Sequence, residues 1–139
     1  MRYHIGIDGG KTNGYAIWDK QNQVVVSYDI YNFWELIEVL SGLDNSEVMI
    51  HLEYPNFNKP TFCRGKYDKA ILDRKAQNVG SVKRTSELIK EYLELHNIQH
   101  KLVRPLSRKF NAEMFNKLTG ITDSSNQHER DAVMLVYGL

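Results

Sequence analysis

Ile5-Gly6-Ile7-Asp8-Gly9-Gly10-Lys11-Thr12-Asn13-Gly14-Tyr15-Ala16-Ile17-Trp18 joins two apolar runs through a carboxylate and a glycine-rich turn. Residues 3–8 and 15–19 have strand composition, and Gly9-Gly10 supplies the tight turn that sends the chain back antiparallel. A strand that closes on an acid beside glycines puts that carboxylate where a ligand can approach the backbone. After a second turn at Lys20-Gln21-Asn22, residues 23–30 add a third strand and complete a meander.

Working outward, Asn32 with Glu35 three residues on has the form of a capping box. Phe33, Leu36, Ile37 and Leu40 then lie on one face of a helix that Gly42 ends. Residues 47–53 are too apolar for an exposed strand and read as a buried, parallel one closing on Glu53. Between 54 and 80 the periodicity dissolves: Pro55, Pro60 and Gly65 interrupt it, and only a short helix around 69–75 is expected. Ser81 is expected to start a long amphipathic helix in which Leu88, Ile89, Tyr92, Leu93 and Leu95 pack and Lys83, Arg84, Lys90, Glu91 and Glu94 face out. Residues 100–103 form a short strand before Pro105, and 107–118 a helix stopped by Gly120. Ser124 or Ser125 caps a last helix carrying Ala132, Val133, Met134, Leu135 and Val136. The order β-β-β-α-β-α-β-α-α predicts an α/β fold of the ribonuclease H type. Its five-stranded mixed sheet combines a three-stranded antiparallel meander with parallel strands, flanked by helices.

With 139 residues, 42% hydrophobic and 25% charged, the chain has the size and composition of one globular domain spanning 1–139. Its single cysteine, Cys63, excludes an internal disulfide and a multi-cysteine zinc site. No apolar run approaches the ~20 residues that span a bilayer, and a cleavable signal would remove Asp8. These features point to a cytoplasmic protein, of a bacterium or a phage-infected host cell, with no membrane partner. The net charge of +1 hides a division along the chain. Residues 59–117 carry fourteen bases and six acids, a net +8, while the remainder carries four bases and eleven acids, a net −7. The middle therefore offers a phosphate-binding surface, and the acids lie in the two end segments.

Those end segments hold the candidate site: Asp8, Glu53, and His128 with Asp131 in His128-Glu129-Arg130-Asp131-Ala132-Val133. Hard cations such as Mg²⁺ take oxygen ligands, using one or two carboxylates plus substrate phosphate oxygens. Two ions about 4 Å apart can activate water and stabilise a leaving oxygen in phosphodiester hydrolysis. Asp8 and Glu53 each close a strand, and they converge if those strands are neighbours. His128 and Asp131 are three apart and share one helix face. Taken alone, Asp8 is also an ordinary turn residue, and His128 a surface or helix-start residue. Glu53 and Asp131 border apolar runs, where a carboxylate needs a partner or a metal.

With these residues in order, the chain resembles the RuvC family of Holliday junction resolvases. Ile5-Gly6-Ile7-Asp8-Gly9-Gly10 with Gly14-Tyr15-Ala16, Glu53 at the end of the fourth strand, and His128-x-x-Asp131-Ala132 carry the resemblance. Asn78-Val79-Gly80 before the long helix and Pro105 followed by Lys109 extend it over nearly the whole chain. The resemblance implies a homodimeric endonuclease that uses two Mg²⁺ or Mn²⁺ ions per site and nicks opposed strands of a four-way DNA junction. Asp8 would bridge the ions, Glu53 would bind one, and His128 and Asp131 the other. Lys109 would contact phosphate, and an imidazole at His128 makes Mn²⁺ at least as suitable as Mg²⁺. Two departures stand out: the family commonly has Pro where Gly9 stands, and the Asp8–Gly14 turn is a residue shorter.

Branched-DNA contacts are expected from Phe57, Lys59, Phe62, Arg64, Lys66, Lys69, Arg74, Lys75, Lys83, Arg84, Arg108 and Lys109. The bases would meet phosphates, and Phe57 and Phe62 would stack on unpaired bases or else serve the core. Leu88, Tyr92 and Leu95 serve either the core or a dimer interface. Three rivals share parts of this pattern. Another ribonuclease H-like nuclease, cutting RNA–DNA hybrids or flaps, would keep the same acids. A non-catalytic junction-binding module would keep the fold. An actin-like sugar kinase shares the glycine turn but needs two such domains, which 139 residues do not hold.

Overall fold

The alternation of short β-rich segments with helical periodicity is realised as a mixed sheet with helices on both faces. The computed structural model describes residues 1–55, 69–106 and 109–139, the side chains of 69–81 excepted. Five strands, β1 (Tyr3–Asp8), β2 (Asn13–Asp19), β3 (Val24–Tyr31), β4 (Val48–Glu53) and β5 (His100–Val103), lie in the order β3-β2-β1-β4-β5. The first three form the antiparallel meander. β4 runs parallel to both β1 and β5. The expected α/β fold with its five-stranded mixed sheet is the observed one.

Alternation along the strands divides the core between two faces. Ile5, Ile7, Tyr15, Ile50 and Leu52 bury one face. They meet Leu36 and Leu40 of α1 (Phe33–Ser41) and Ile89 and Leu93 of α2 (Lys69–Leu95). Each fully buried Leu or Ile contributes roughly 1.5–3 kcal/mol of transfer free energy, so this layer fixes β1 beside β4. On that sheet, His4 Nδ1 and His51 Nε2 bridge the same two strands at 2.8 Å. Burial first, then His4 and Lys101, lower His51 to about 4, so the bridge is uncharged at neutral pH.

The opposite face is covered by α4 (Gln127–Val136), with α3 (Ala112–Thr119) beside it. Small residues make this packing close. A Cβ on Gly14 would lie 2.0 Å from the His128 carbonyl oxygen, and one on Gly6 2.1 Å from that of Ala132. Both contacts are with backbone and cannot be relieved by turning a side chain.

Several boundaries differ from expectation. β2 begins at Asn13, two residues earlier, because the turn is confined to residues 9–12. The long helix starts at Lys69 and not at Ser81. Ala70, Leu72, Arg74, Lys75, Ala76 and Gln77 are good helix formers, and a lone Gly80 costs only about 1 kcal/mol against Ala. Leu95, expected to pack, is 78% exposed at the end of α2. α3 begins at Ala112, with Asn111 capping it through Met114 N, and not at residue 107. Gly120 does stop it, in the left-handed region at φ 74°. The cap of α4 is Asn126, completed by Glu129 as a capping box, in place of Ser124 or Ser125. Asn32 and Glu35 form the expected box on α1. No helix among the described residues is long and apolar enough to cross a membrane.

The glycine contacts generate a prediction. Gly14→Ala or Gly6→Ala forces α4 away from the sheet and destabilises the protein by about 1–3 kcal/mol. Gly10→Ala meets only the Thr12 carbonyl oxygen, at an ordinary 3.4 Å, and serves as the control. Denaturant titration separates them; three equal midpoints would refute the close-approach account.

Candidate functional site

Parallel pairing of β1 with β4 brings their C-terminal ends together, and those ends are Asp8 and Glu53. Close seating of α4 adds residues from its first turns. His128 Nδ1 lies 3.1 Å from Asp8 Oδ2. Asp131, on the same helix face, is 4% exposed, and Asp8 and Glu53 are 8% exposed. Lys109, which precedes α3, joins the cluster: its Nζ is 2.8 Å from Asp131 Oδ2 and 3.9 Å from Glu53 Oε1. The structure thus gathers Asp8, Glu53, His128, Asp131 and Lys109 at one end of the sheet.

Among the described residues, three buried carboxylates meet one ammonium, and the charges do not balance. Burial raises the Glu53 carboxyl to about 8, and Asp8 beside it adds to the effect, while Lys109 opposes it. Asp8 is also raised, by burial first and then by Asp131, against the lowering influence of Glu53 and Lys109. Burial pulls Lys109 down, but its bond to Asp131 and the charges of Glu53, Asp131 and Asp8 outweigh that, leaving the ammonium raised. Glu53 Oε2 is buried with no hydrogen-bond partner. That orphaned oxygen, among further carboxylates in a partly desolvated recess, is chemistry suited to a hard divalent cation. Among the described residues, no group of three or more His, Cys, Asp or Glu side chains is spaced to hold an ion as it stands. The Lys109 ammonium supplies the local positive charge.

Supporting contacts explain why the cluster is held. Gln127 Nε2 donates to Asp131 Oδ1 at 2.7 Å, an i, i+4 pair legible from spacing. Asn13, fully buried, accepts from Gly10 N and donates to the Tyr31 carbonyl, tying the turn after Asp8 to β3. Tyr54, directly after Glu53, donates its hydroxyl to Glu87 of α2, and its backbone N–H bonds the Val103 carbonyl at 2.8 Å. Neither Asn13 nor Tyr54 carries a sequence signal beyond adjacency to the acids. Gly9 has a packing reason: a Cβ there would lie 3.0 Å from Ser86 Oγ of α2.

Other expected contacts fall differently. Lys83 and Arg84 lie on α2, where Arg84 makes a long 3.9 Å ion pair with Glu91. Lys69, Arg74 and Lys75 are in the same helix, their side chains outside the description. Phe57, Lys59, Phe62, Arg64, Lys66 and Arg108 lie outside the described residues. Leu88 and Tyr92 are half-buried.

The architecture has a solved counterpart. The chain is similar to T. thermophilus RuvC in complex with Holliday junction substrate, with a TM-score of 0.58 over 97% of this chain and 90% of that one. The fold is RuvC-like. Sequence identity is only 14%, so the likeness is one of architecture. No family model matches the chain. No curated protein matches it either.

The raised carboxyls predict a pH dependence. The unfolded chain ionises Glu53 near its ordinary 4.5, but the fold resists until about 8. Metal-free protein should therefore lose stability as pH rises through that window. Glu53→Gln removes that penalty and should melt a few degrees above wild type at pH 8, with little difference at pH 4. Thermal melts in chelator test this; parallel profiles for the two proteins would refute it.

Proposed function

We propose that this chain is a metal-dependent endonuclease that resolves four-way DNA junctions by hydrolysing phosphodiesters in two opposed strands. The observation that carries the reading is the meeting of Asp8, Glu53 and Asp131, all buried, on a RuvC-like sheet. The structural counterpart was solved with a Holliday junction substrate, which favours branched DNA as the ligand.

The donor set fits Mg²⁺ or Mn²⁺, with Asp8, Glu53, Asp131 and His128 as the residues that would hold it, two ions per site. Bound there, the metal would supply water activation and stabilisation of the departing 3′ oxygen. The chain's own groups do the rest. Paired strand ends fix Asp8 and Glu53, so the acids need no rearrangement of the sheet to converge. Gln127 orients Asp131. Lys109, 48% exposed and facing the acids, can turn from Asp131 to a phosphate oxygen and offset charge as it develops. His128 is open on its outer side and bonded to Asp8 on the other, so it links the acid cluster to incoming substrate. The described residues form one such cluster, so paired nicks call for two copies; a homodimer is part of the proposal.

The test is cleavage of a labelled mobile four-way junction beside linear duplex and RNA–DNA hybrid, in Mg²⁺ and in Mn²⁺. Wild type should place symmetric nicks in the junction alone, and Asp8→Asn should abolish them. Cleavage of the hybrid instead would move the activity to another ribonuclease H-like substrate. Junction binding without cleavage would leave a binding module. Lys109→Met should bind junction normally and cut about 10²-fold more slowly. An unchanged single-turnover rate would remove Lys109 from the chemistry.

A further inference from the structure

Arg130, next to Asp131 on α4, turns every nitrogen of its guanidinium onto a neutral oxygen of the protein. Nε donates to the Phe110 carbonyl at 3.1 Å and Nη2 to Gln127 Oε1 at 3.2 Å. Nη1 donates to the Ser125 carbonyl at 2.6 Å and to the Ser125 hydroxyl oxygen at 3.3 Å. Two of these contacts lead to the candidate site. Phe110 directly follows Lys109, and Gln127 Nε2 donates to the same Phe110 carbonyl at 3.3 Å. Two donors from α4 thus converge on one backbone oxygen beside the lysine. Arg130 also decides how the Gln127 amide lies. With Oε1 accepting from the guanidinium, the amide presents its NH2 to Phe110 and to Asp131 Oδ1, 2.7 Å away. Turned over, it would set Oε1 against a carboxylate and NH2 against a guanidinium.

We infer that Arg130 is a positioning residue for the cleavage: with Gln127 it fixes the Phe110 carbonyl and so sets Lys109 against the acids. This inference rests on the function proposed above and adds to it a residue that acts through others. Lys109 lies in neither helix nor strand, since α3 begins only at Ala112. Its neighbour Phe110 is held by its ring, packed against Phe115, Ala132 and Val133, and by the doubly bonded carbonyl. A lysine stem carries about 2 kcal/mol of rotamer entropy, so a fixed backbone narrows the region that Nζ sweeps. Within that region Nζ lies 2.8 Å from Asp131 Oδ2 and 3.9 Å from Glu53 Oε1. A tie between Ser125 and α4 alone would need only Nη1. Nε and Nη2 are directed to the segment that carries Lys109 and to the amide that holds Asp131.

The test begins without metal or DNA, by NMR relaxation of the Lys109 ammonium, identified through its loss in Lys109→Met. The group should be restrained in wild type and relax like a free chain end in Arg130→Met. Arg130→Lys keeps the charge without the fork and should loosen Lys109 as well; thermal melts confirm that each variant folds. Single-turnover cleavage of the four-way junction at saturating protein should fall about tenfold in Arg130→Met, with junction affinity unchanged. Added to Lys109→Met, the same change should slow cleavage no more than about twofold further, because the guanidinium acts through the lysine. An ammonium equally restrained in wild type and both Arg130 variants would overturn the inference and leave the nuclease reading standing. Rate losses that multiply in the double variant would overturn it too, as would full cleavage by Arg130→Lys. Wild type that cuts no junction would overturn the proposed function, and the ammonium relaxation would then decide by itself whether Arg130 places Lys109.

Discussion

Backbone meets backbone where α4 crosses the sheet, and the candidate site depends on that approach. The His128 and Ala132 carbonyl oxygens occupy the space that a side chain on Gly14 or Gly6 would fill. Because the helix sits so low, His128 reaches Asp8 and Asp131 reaches the same recess, although 120 residues separate His128 from Asp8. A helix raised by one methyl layer would still cover Ala16 and Trp18, but its ionisable side chains would stand above the acids. The glycines therefore set how closely α4 approaches the strand ends, and with it the convergence of the candidate site.

The acids impose a second constraint. Among the described residues, packing brings three carboxylates together with a single ammonium, and burial resists ionisation, as the raised Asp8 and Glu53 show. Such an arrangement costs stability in the absence of a cation. Structure elsewhere carries that cost: Ile5, Ile7, Ile50 and Leu52 bury the other face of the same strands. One side of β1 and β4 is apolar and holds the strands in register, and the other ends in carboxylates. Strand alternation lets one pair of strands serve both demands.

Much of this was legible in the sequence because its signals are local. Asp8 before Gly9-Gly10, Glu53 at the end of an apolar run, and His128 and Asp131 at helical spacing each mark an element end or face. Their convergence follows once β1 and β4 are neighbours. Lys109 was legible through the resemblance, but its ion pairs with Asp131 and Glu53 arise from tertiary placement. Helix starts were less readable, since several nearby residues compete as caps: Ser124, Ser125 and Asn126 are all suitable, and only Asn126 is completed by Glu129 three residues on. Gly80 and the mixed composition before it weaken the periodicity of the long helix without breaking its hydrogen bonding, which hides its start at Lys69. Leu95 fits the apolar spacing of α2, yet it lies in the last turn, beyond the layer that Ile89 and Leu93 bury.

Charge segregation along the chain acquires meaning only in the folded state. The acidic end segments supply Asp8, Glu53 and Asp131, while the basic middle supplies Lys109 and the helix bearing Lys83 and Arg84. α2 packs Ile89 and Leu93 on the sheet and has Ser86 beside Gly9. Its seventeen residues from Lys69 to Thr85 therefore precede the point where it meets the acidic end. At 1.5 Å per residue, that segment is about 25 Å long, enough to extend a basic helix well past the carboxylates. The acids alone would repel a polyanion, whereas the bases of this segment would attract it. On the function proposed above, the bases would offset the repulsion between the acids and a polyanion, so the two halves of the charge pattern would act together.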